Sequence, residues 1–275
     1  MERPNARAYL VSQENLGAPH ARNHGLALST GTYVLFLDAD DCLEEGLFLK
    51  IREMLSCGAD LVIGNFIRAS RDGKARIEYR KPPVSSHAAE PFFFLDPYPS
   101  GKLYRRSFLM EQGIRFDHLR LAQDLCFFYK ALGVSERLLL TEVPFVSRYE
   151  TEGSISRSLD DRILDVKKAE EIAEAFCLEK GISRRRLSYL SLGAARHINL
   201  EIGKVLRMTD RAEGYALYRE LEKGWVHLYR QSGLIPERTF LLKKGKALGR
   251  NFLASLKAEW RFGITGRGGS SRRTP

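Results

Sequence analysis

Asp38-Ala39-Asp40-Asp41 is the part of the chain whose residue types and spacing could do chemistry. It follows directly on the apolar run Tyr33-Val34-Leu35-Phe36-Leu37. Carboxylates at the carboxyl end of a sheet strand sit where open α/β sheets bind ligands. In an extended segment alternate residues share a side, so Asp38 and Asp40 can converge while Ala39 points away. Negative charge this concentrated is costly unless a cation offsets it. Mg²⁺ and Mn²⁺ are hard ions that take oxygen ligands, so the chemistry suggested is the holding of a divalent cation together with a diphosphate. The plainer alternative is an Asp-rich turn. Asp also stabilises turns and caps helices, and Asp41 could do little more than cap a helix beginning near Glu44.

Positioning these carboxylates requires a scaffold, and the apolar pattern outlines one. Ala8 to Ser12 reads as a short strand, residues 18 to 29 as a helix stopped by Gly31, and residues 33 to 37 as a strand buried on both faces. Strand, helix and strand in this order make a βαβ unit and favour a parallel sheet. Leu47, Ile51, Met54 and Leu55 predict a helix over 44–57, and Leu61 to Phe66 predict another strand. Asp72-Gly73 marks a hairpin turn and Pro82-Pro83 a break. Leu138 to Leu140 and Pro144 to Val146 read as short strands.

After Ser158, which with Asp161 makes a capping signal, the period becomes helical. Ile163, Val166, Ala169, Ile172, Ala173 and Phe176 recur every three or four residues up to Gly181. Further helices are expected at about 184–206, 210–222 and 237–260. The predicted organisation is an α/β domain over 1–157, a helical region over 158–262 and a disordered basic tail over 263–275.

Charge follows the same division. Residues 1–179 hold 23 Lys+Arg against 27 Asp+Glu, a net of −4, and residues 180–275 hold 21 against 7, a net of +14. The basic part either faces phosphates or is a solvated helical face. Leu241, Leu248, Phe252, Leu256 and Trp260 line one face of a predicted helix ringed by Lys and Arg, a pattern that suits an anionic membrane surface or a helix packed back on its own domain. No nucleic-acid motif is present and the aromatics do not interleave with the basic run, so no nucleic-acid partner is expected. No apolar run approaches the ~20 residues of a membrane-spanning helix. The first residues lack a signal-peptide core, which points to a cytoplasmic protein, peripheral at most on the inner face of a membrane. Cys42, Cys57, Cys126 and Cys177 lack CxxC spacing and read as reduced thiols, three or four of them packed as small hydrophobes. His20, His24 and His197 form no His-x-x-x-His pair and read as surface or packing residues.

Several segments, in order, carry a resemblance. Glu14-Asn15-Leu16-Gly17, Ala21-Arg22-Asn23-His24-Gly25, Gly31-Thr32-Tyr33 and Phe36-Leu37-Asp38-Ala39-Asp40-Asp41 resemble the family 2 glycosyltransferases of the GT-A fold. There an "ENxGxxxARNxG" segment leads into "GxYxxFLDxDD". Lys102-Leu103-Tyr104-Arg105-Arg106-Ser107 is similar to the family's "KLYRRS" segment, Gln123-Asp124-Leu125-Cys126-Phe127 to its "EDxxF" segment, and Gly153-Ser154-Ile155-Ser156 to its "GSIS" close.

The resemblance implies a GT-A domain, a mixed and mostly parallel sheet flanked by helices, followed by the helical region. It implies transfer of a sugar from a nucleotide-diphosphate donor to an acceptor hydroxyl, with inversion, in the making of a surface polysaccharide. The acceptor would be a glycan or a lipid-linked glycan. Asp38 and Asp40 would serve the donor and a Mg²⁺ or Mn²⁺ ion, with Asp40 a direct ligand. Asp124 matches the catalytic base. From the residues alone, Leu121, Leu125 and Phe128 place Asp124 in the first turn of a helix, where it could be an ordinary polar residue. Gln123 departs from the family's Glu. Arg22 and Asn23 fall in the donor-site segment, or brace the Asp38–Asp41 loop. Lys102 falls where it could meet acceptor or phosphate, or stay solvated, and Tyr149 falls near a closing loop. The family's usual opening strands, which hold base and ribose, have no counterpart in this sequence. The alternative is therefore a non-catalytic remnant or fragment that acts as a binding module.

Overall fold

The computed structural model describes residues 7–69, 75–78, 95–149, 160–206, 208 and 210–231. The centre of its sheet is the strand predicted from the apolar run at Leu61. This strand, β3 (Leu61–Ala69), pairs antiparallel with β5 (Lys102–Arg105) and parallel with β6 (Leu138–Tyr149). The edges are β1 (Tyr33–Val34), antiparallel to β5, and β2 (Cys42–Leu43), antiparallel to β6. The order is β1-β5-β3-β6-β2, and β4 (Ala75–Glu78) pairs with the outer half of β3. The sheet is mixed. Its parallel share is smaller than the sequence suggested, because β3–β6 is the one parallel ladder among the described residues.

Alternation along the strands builds two cores. Val62, Phe66 and Leu103 pack with Leu47 and Ile51 of α2 (Leu47–Leu55). Leu61, Ile63 and Tyr104 face the other way, onto α3 (Arg106–Gln112) and α4 (Gln123–Val134). The second core continues through α4 into α5 (Asp165–Glu179), α6 (Arg184–Val205) and α7 (Arg211–Gln231). The helices close up where Gly133 of α4 meets Cys177 of α5, since a Cβ at Gly133 would run into the Cys177 sulfur. Gly181 ends α5 region with φ +70°, a left-handed value that favours glycine.

Several expectations change. Residues 8–12 form no strand, and Leu10 is 98% exposed. An apolar run becomes a strand only where a neighbour takes its backbone hydrogen bonds, and none does so among the described residues. The βαβ reading of residues 8–37 therefore fails. The run 33–37 is laddered only at Tyr33 and Val34. Phe36 then turns into the core against Phe116 and Phe127, and Leu37 turns outward. The helix expected from residue 44 begins at Leu47, because Cys42–Leu43 is held in β2 and Gly46 takes the left-handed capping position. Two cysteines, Cys126 and Cys177, are buried, and Cys42 and Cys57 are exposed. The Asp72-Gly73 turn, the Pro82-Pro83 break, the Gly153–Ser156 close, the cap at Ser158, the helix over 237–260 and the tail over 263–275 lie outside the described residues.

Candidate active site

Five pieces of chain meet around the carboxylate run, which leads from β1 into β2. The first is the carboxylate run itself. It is a turn rather than an extended segment, closed by a hydrogen bond from the Asp41 amide to the Asp38 carbonyl (3.1 Å). Turning brings in Asp41, which the alternating pattern had left to a cap. One carboxylate oxygen from each of Asp38, Asp40 and Asp41 lies within 4.8 Å of the others. Asp41 caps no helix. It is buried, and that burial raises its pKa against the opposing hydrogen bond from Tyr98 and the charge of Arg148. Three converging hard oxygen donors fit a divalent cation of the Mg²⁺ or Mn²⁺ kind.

The second piece is α1 (Ala18–Leu28), which starts at Gly17 with Pro19 in its first turn. It presents Arg22, whose guanidinium spans two carboxylates 86 residues apart in sequence: Nη2 donates to Asp38 Oδ1 (2.8 Å) and Nη1 to Asp124 Oδ1 (2.6 Å). Burial works to lower the Arg22 pKa, but Asp124 and Asp38 outweigh it and the net shift is upward. Arg22 is therefore a fixed positive charge. Asn23, grouped with it from sequence, does something else. Its Nδ2 donates to the Phe116 carbonyl (2.8 Å) and its Oδ1 accepts from the Phe116 amide (2.9 Å). With both ends of its amide engaged, Asn23 braces α1 and is not placed to hold a donor.

The third piece is the first turn of α4, entered through Ala122 at φ 63°, the one positive-φ residue other than glycine among the described residues. Such a backbone costs about 1–2 kcal/mol, and here it directs Asp124 toward Arg22. Burial pushes the Asp124 carboxyl up to about 6; Arg22 and Lys102 pull it down and Asp38 pushes it further up. Its neighbour Gln123 makes no side-chain hydrogen bond among the described residues.

The fourth piece is the segment from Leu95 to Gly101, of which Leu95 to Pro99 went unnoticed in the sequence. Tyr98 places its hydroxyl against Asp38 Oδ2 (3.0 Å) and against Asp41 Oδ2. Burial and the Asp41 hydrogen bond raise the phenol's pKa, so it stays protonated and donating. Lys102 anchors this segment. It is only 4% exposed, its ammonium donates to the carbonyls of Asp96 (2.7 Å) and Tyr98, and it lies over the Phe128 ring. The expectation of a solvated or substrate-facing Lys102 is thus corrected: four apolar methylenes and two waiting carbonyls make it a loop anchor. The signal that could have revealed Tyr98 is its setting, Asp96-Pro97-Tyr98-Pro99, an aromatic stiffened by a proline on each side just before a recognised motif.

The fifth piece is the end of β6. Arg148 stacks its guanidinium 3.5 Å from the centre of the Tyr98 ring and pairs with Asp96 (3.7 Å). Tyr149 follows it, opposite Ala69 in the ladder and partly exposed. It has no hydrogen bond to Arg22, Asp38 or Asp124 among the described residues, so it is not brought into the cluster. His20 and His24 face Gln13 at the surface, away from any cluster of metal-ligand type.

Comparison with known proteins points the same way. Residues 4–118 match the model of glycosyl transferase family 2. The chain is 29% identical over 150 residues to the uncharacterized glycosyltransferase EpsJ of Bacillus subtilis (strain 168), a match covering 50% of this chain and 43% of that protein. It is 30% identical over 171 residues to the glycosyltransferase GlyA of Streptococcus pneumoniae serotype 4, covering 55% of this chain and 24% of that protein. The chain therefore spans less than half the length of either relative. Among solved structures, S. aureus TarS 1-349 matches with a TM-score of 0.63 at 15% identity, covering 90% of this chain and 72% of that one. Its complex with UDP-GlcNAc matches with a TM-score of 0.59 at 18% identity, covering 91% and 74%. These structural likenesses speak to the fold. Residues 4–118 are thus similar to glycosyl transferase family 2, and the fold is similar to that of TarS.

Proposed function

We propose that this chain transfers a sugar from a nucleotide-diphosphate donor to an acceptor hydroxyl, with Asp124 as the general base. The observation that carries the reading is the Arg22 bridge, which sets Asp124 beside the Asp38–Asp41 carboxylate cluster. Asp124 in its ionised form takes the proton of the acceptor hydroxyl. The oxygen attacks the anomeric carbon as the bond from that carbon to the diphosphate oxygen breaks, and the nucleoside diphosphate leaves with the bonding pair. One displacement inverts the anomeric centre. Asp40 and Asp38 hold a Mg²⁺ or Mn²⁺ ion, which when bound offsets the charge of the leaving diphosphate. Arg22 fixes the distance between base and cluster, which is a matter of alignment rather than bond-making.

A UDP-sugar is the donor to try first, because TarS has been solved with UDP and with UDP-GlcNAc. The acceptor class proposed with it is a glycan or lipid-linked glycan. No helix among the described residues is long and apolar enough to cross a membrane. The division proposed with this reading is a catalytic part to about residue 157 and a helical part from 158 to 262. The change from strand in β6 to the run of helices α5, α6 and α7 supports it.

The test is release of nucleoside diphosphate from a panel of UDP-, GDP- and dTDP-sugars with Mn²⁺. Asp124→Asn should lower turnover about 10²–10⁴-fold. Turnover unchanged by that substitution would remove Asp124 from the reaction.

A further inference from the structure

Tyr98 is the group in the site that neither the sequence motifs nor the proposed chemistry uses, yet it touches two of the three clustered carboxylates. A protonated phenol has one hydrogen to donate. It can serve Asp38 Oδ2 or Asp41 Oδ2 at any moment, and the other oxygen must then find a different partner. Asp41 is buried and Asp38 is more exposed and already paired with Arg22 through its other oxygen. The ring cannot drift. Arg148 covers it at 3.5 Å, and Lys102 holds the Tyr98 carbonyl from below. Tyr98 is thus a rigid donor, aimed at the carboxylates from a segment that is not part of them.

We propose that Tyr98 is a positioning residue for cation binding: its hydroxyl, set against Asp38 and Asp41, orients these carboxylates to share a divalent cation with Asp40. This rests on the reading of that cluster as the cation site. Hydrogen bonds of this kind fix the orientation of metal-ligating carboxylates, and losing one costs about 10–100-fold in metal affinity. Tyr98→Phe removes the hydroxyl and keeps the ring that Arg148 stacks on.

The experiment is Mn²⁺ titration of the full chain followed by electron paramagnetic resonance, with Asp40→Asn and Tyr98→Phe beside the unaltered protein. Tyr98→Phe should weaken Mn²⁺ binding about 10–100-fold, with the cation-free melting temperature close to that of the unaltered chain. In turnover assays it should raise the Mn²⁺ concentration for half-maximal rate while leaving the rate at saturating Mn²⁺ within about threefold, a split that a general loosening of the fold would not give. Unchanged Mn²⁺ affinity in Tyr98→Phe, with affinity lost in Asp40→Asn, would overturn the role of Tyr98 and leave the cation site standing. An unaltered chain that takes up no Mn²⁺ would overturn both. As a second readout that keeps the hydroxyl, 3-fluorotyrosine at position 98 should show a fluorine resonance that moves in step with Mg²⁺ uptake. A resonance that stays still through saturation would also overturn the proposal.

Discussion

Two carboxylates with different environments and one guanidinium between them define the chemistry at the scale of the residue. Burial pushes Asp124 up to about 6, and Arg22 pulls it down. A base must be ionised to work, so turnover should fall as pH drops through about 6. Arg22→Met removes the opposing positive charge and leaves burial to act alone. The acidic limb of the pH–rate profile should then move to higher pH, and a profile that stayed in place would show that Arg22 does not set the charge on Asp124. The carboxylate run and Asp124 were legible in the sequence, as a motif after an apolar run and as a match to a family segment. Their convergence on Arg22 was not, because Arg22 and Asp124 are 102 residues apart and local pattern carries no such information. Tyr98 was illegible for a different reason. It belongs to a loop, and its role depends on Lys102 and Arg148, which reach it from two separate strands.

At the scale of the element, helix-length patterns transferred well to structure, and the strand runs at 61–66, 138–140 and 144–146 lie in β3 and β6, whereas the run at 8–12 forms no strand. The helix predicted over 18–29 is α1, and the one predicted at 184–206 is α6 (Arg184–Val205). A helix makes its own hydrogen bonds, whereas a strand exists only with its partner. That is why Ala8 to Ser12 carried a strand's composition without becoming one. Helix packing offers its own test in α5. Glu170 is 2% exposed, and its Oε1 has no hydrogen-bond partner among the described residues. Burial, with Glu174 and Glu171 nearby, pushes its pKa up to about 9. The folded chain then keeps a proton that the unfolded chain releases above its ordinary 4.5. Stability should fall as pH rises from about 4.5 to about 9. Glu170→Gln, neutral at every pH, should flatten that slope and raise the melting temperature at pH 8 by a few degrees. Thermal melts at pH 5 and pH 8 measure both effects, and parallel shifts at the two values would count against a protonated Glu170. Close packing at Gly133 gives a second expectation. Gly133→Ala should cost about 1–3 kcal/mol in denaturant unfolding, because the added methyl meets the Cys177 sulfur in a filled interface.

The whole molecule is uneven in how well it covers itself. One face joins α4 to α5, α6 and α7 in a continuous core. Among the described residues β1 pairs on one side only, Tyr9, Leu10, Val11, Leu16 and Leu37 are exposed nearby in the chain, and a groove of about 510 Å³ opens between α1 and β1. Bare strand edges and apolar surface favour association. Sedimentation velocity should show concentration-dependent self-association, reduced by Leu10→Glu together with Leu37→Lys. The carboxylate cluster, and not this edge, is where the donor and cation are proposed to bind. The most direct test is calorimetric titration of UDP into the full chain with Mn²⁺, with EDTA, and with Mn²⁺ and Asp40→Asn. Binding that appears with Mn²⁺ and disappears both with EDTA and in Asp40→Asn is the predicted result. UDP binding that persists in EDTA and in Asp40→Asn, or a chain that binds no UDP under any of the three conditions, would contradict a cation-dependent donor site on these aspartates.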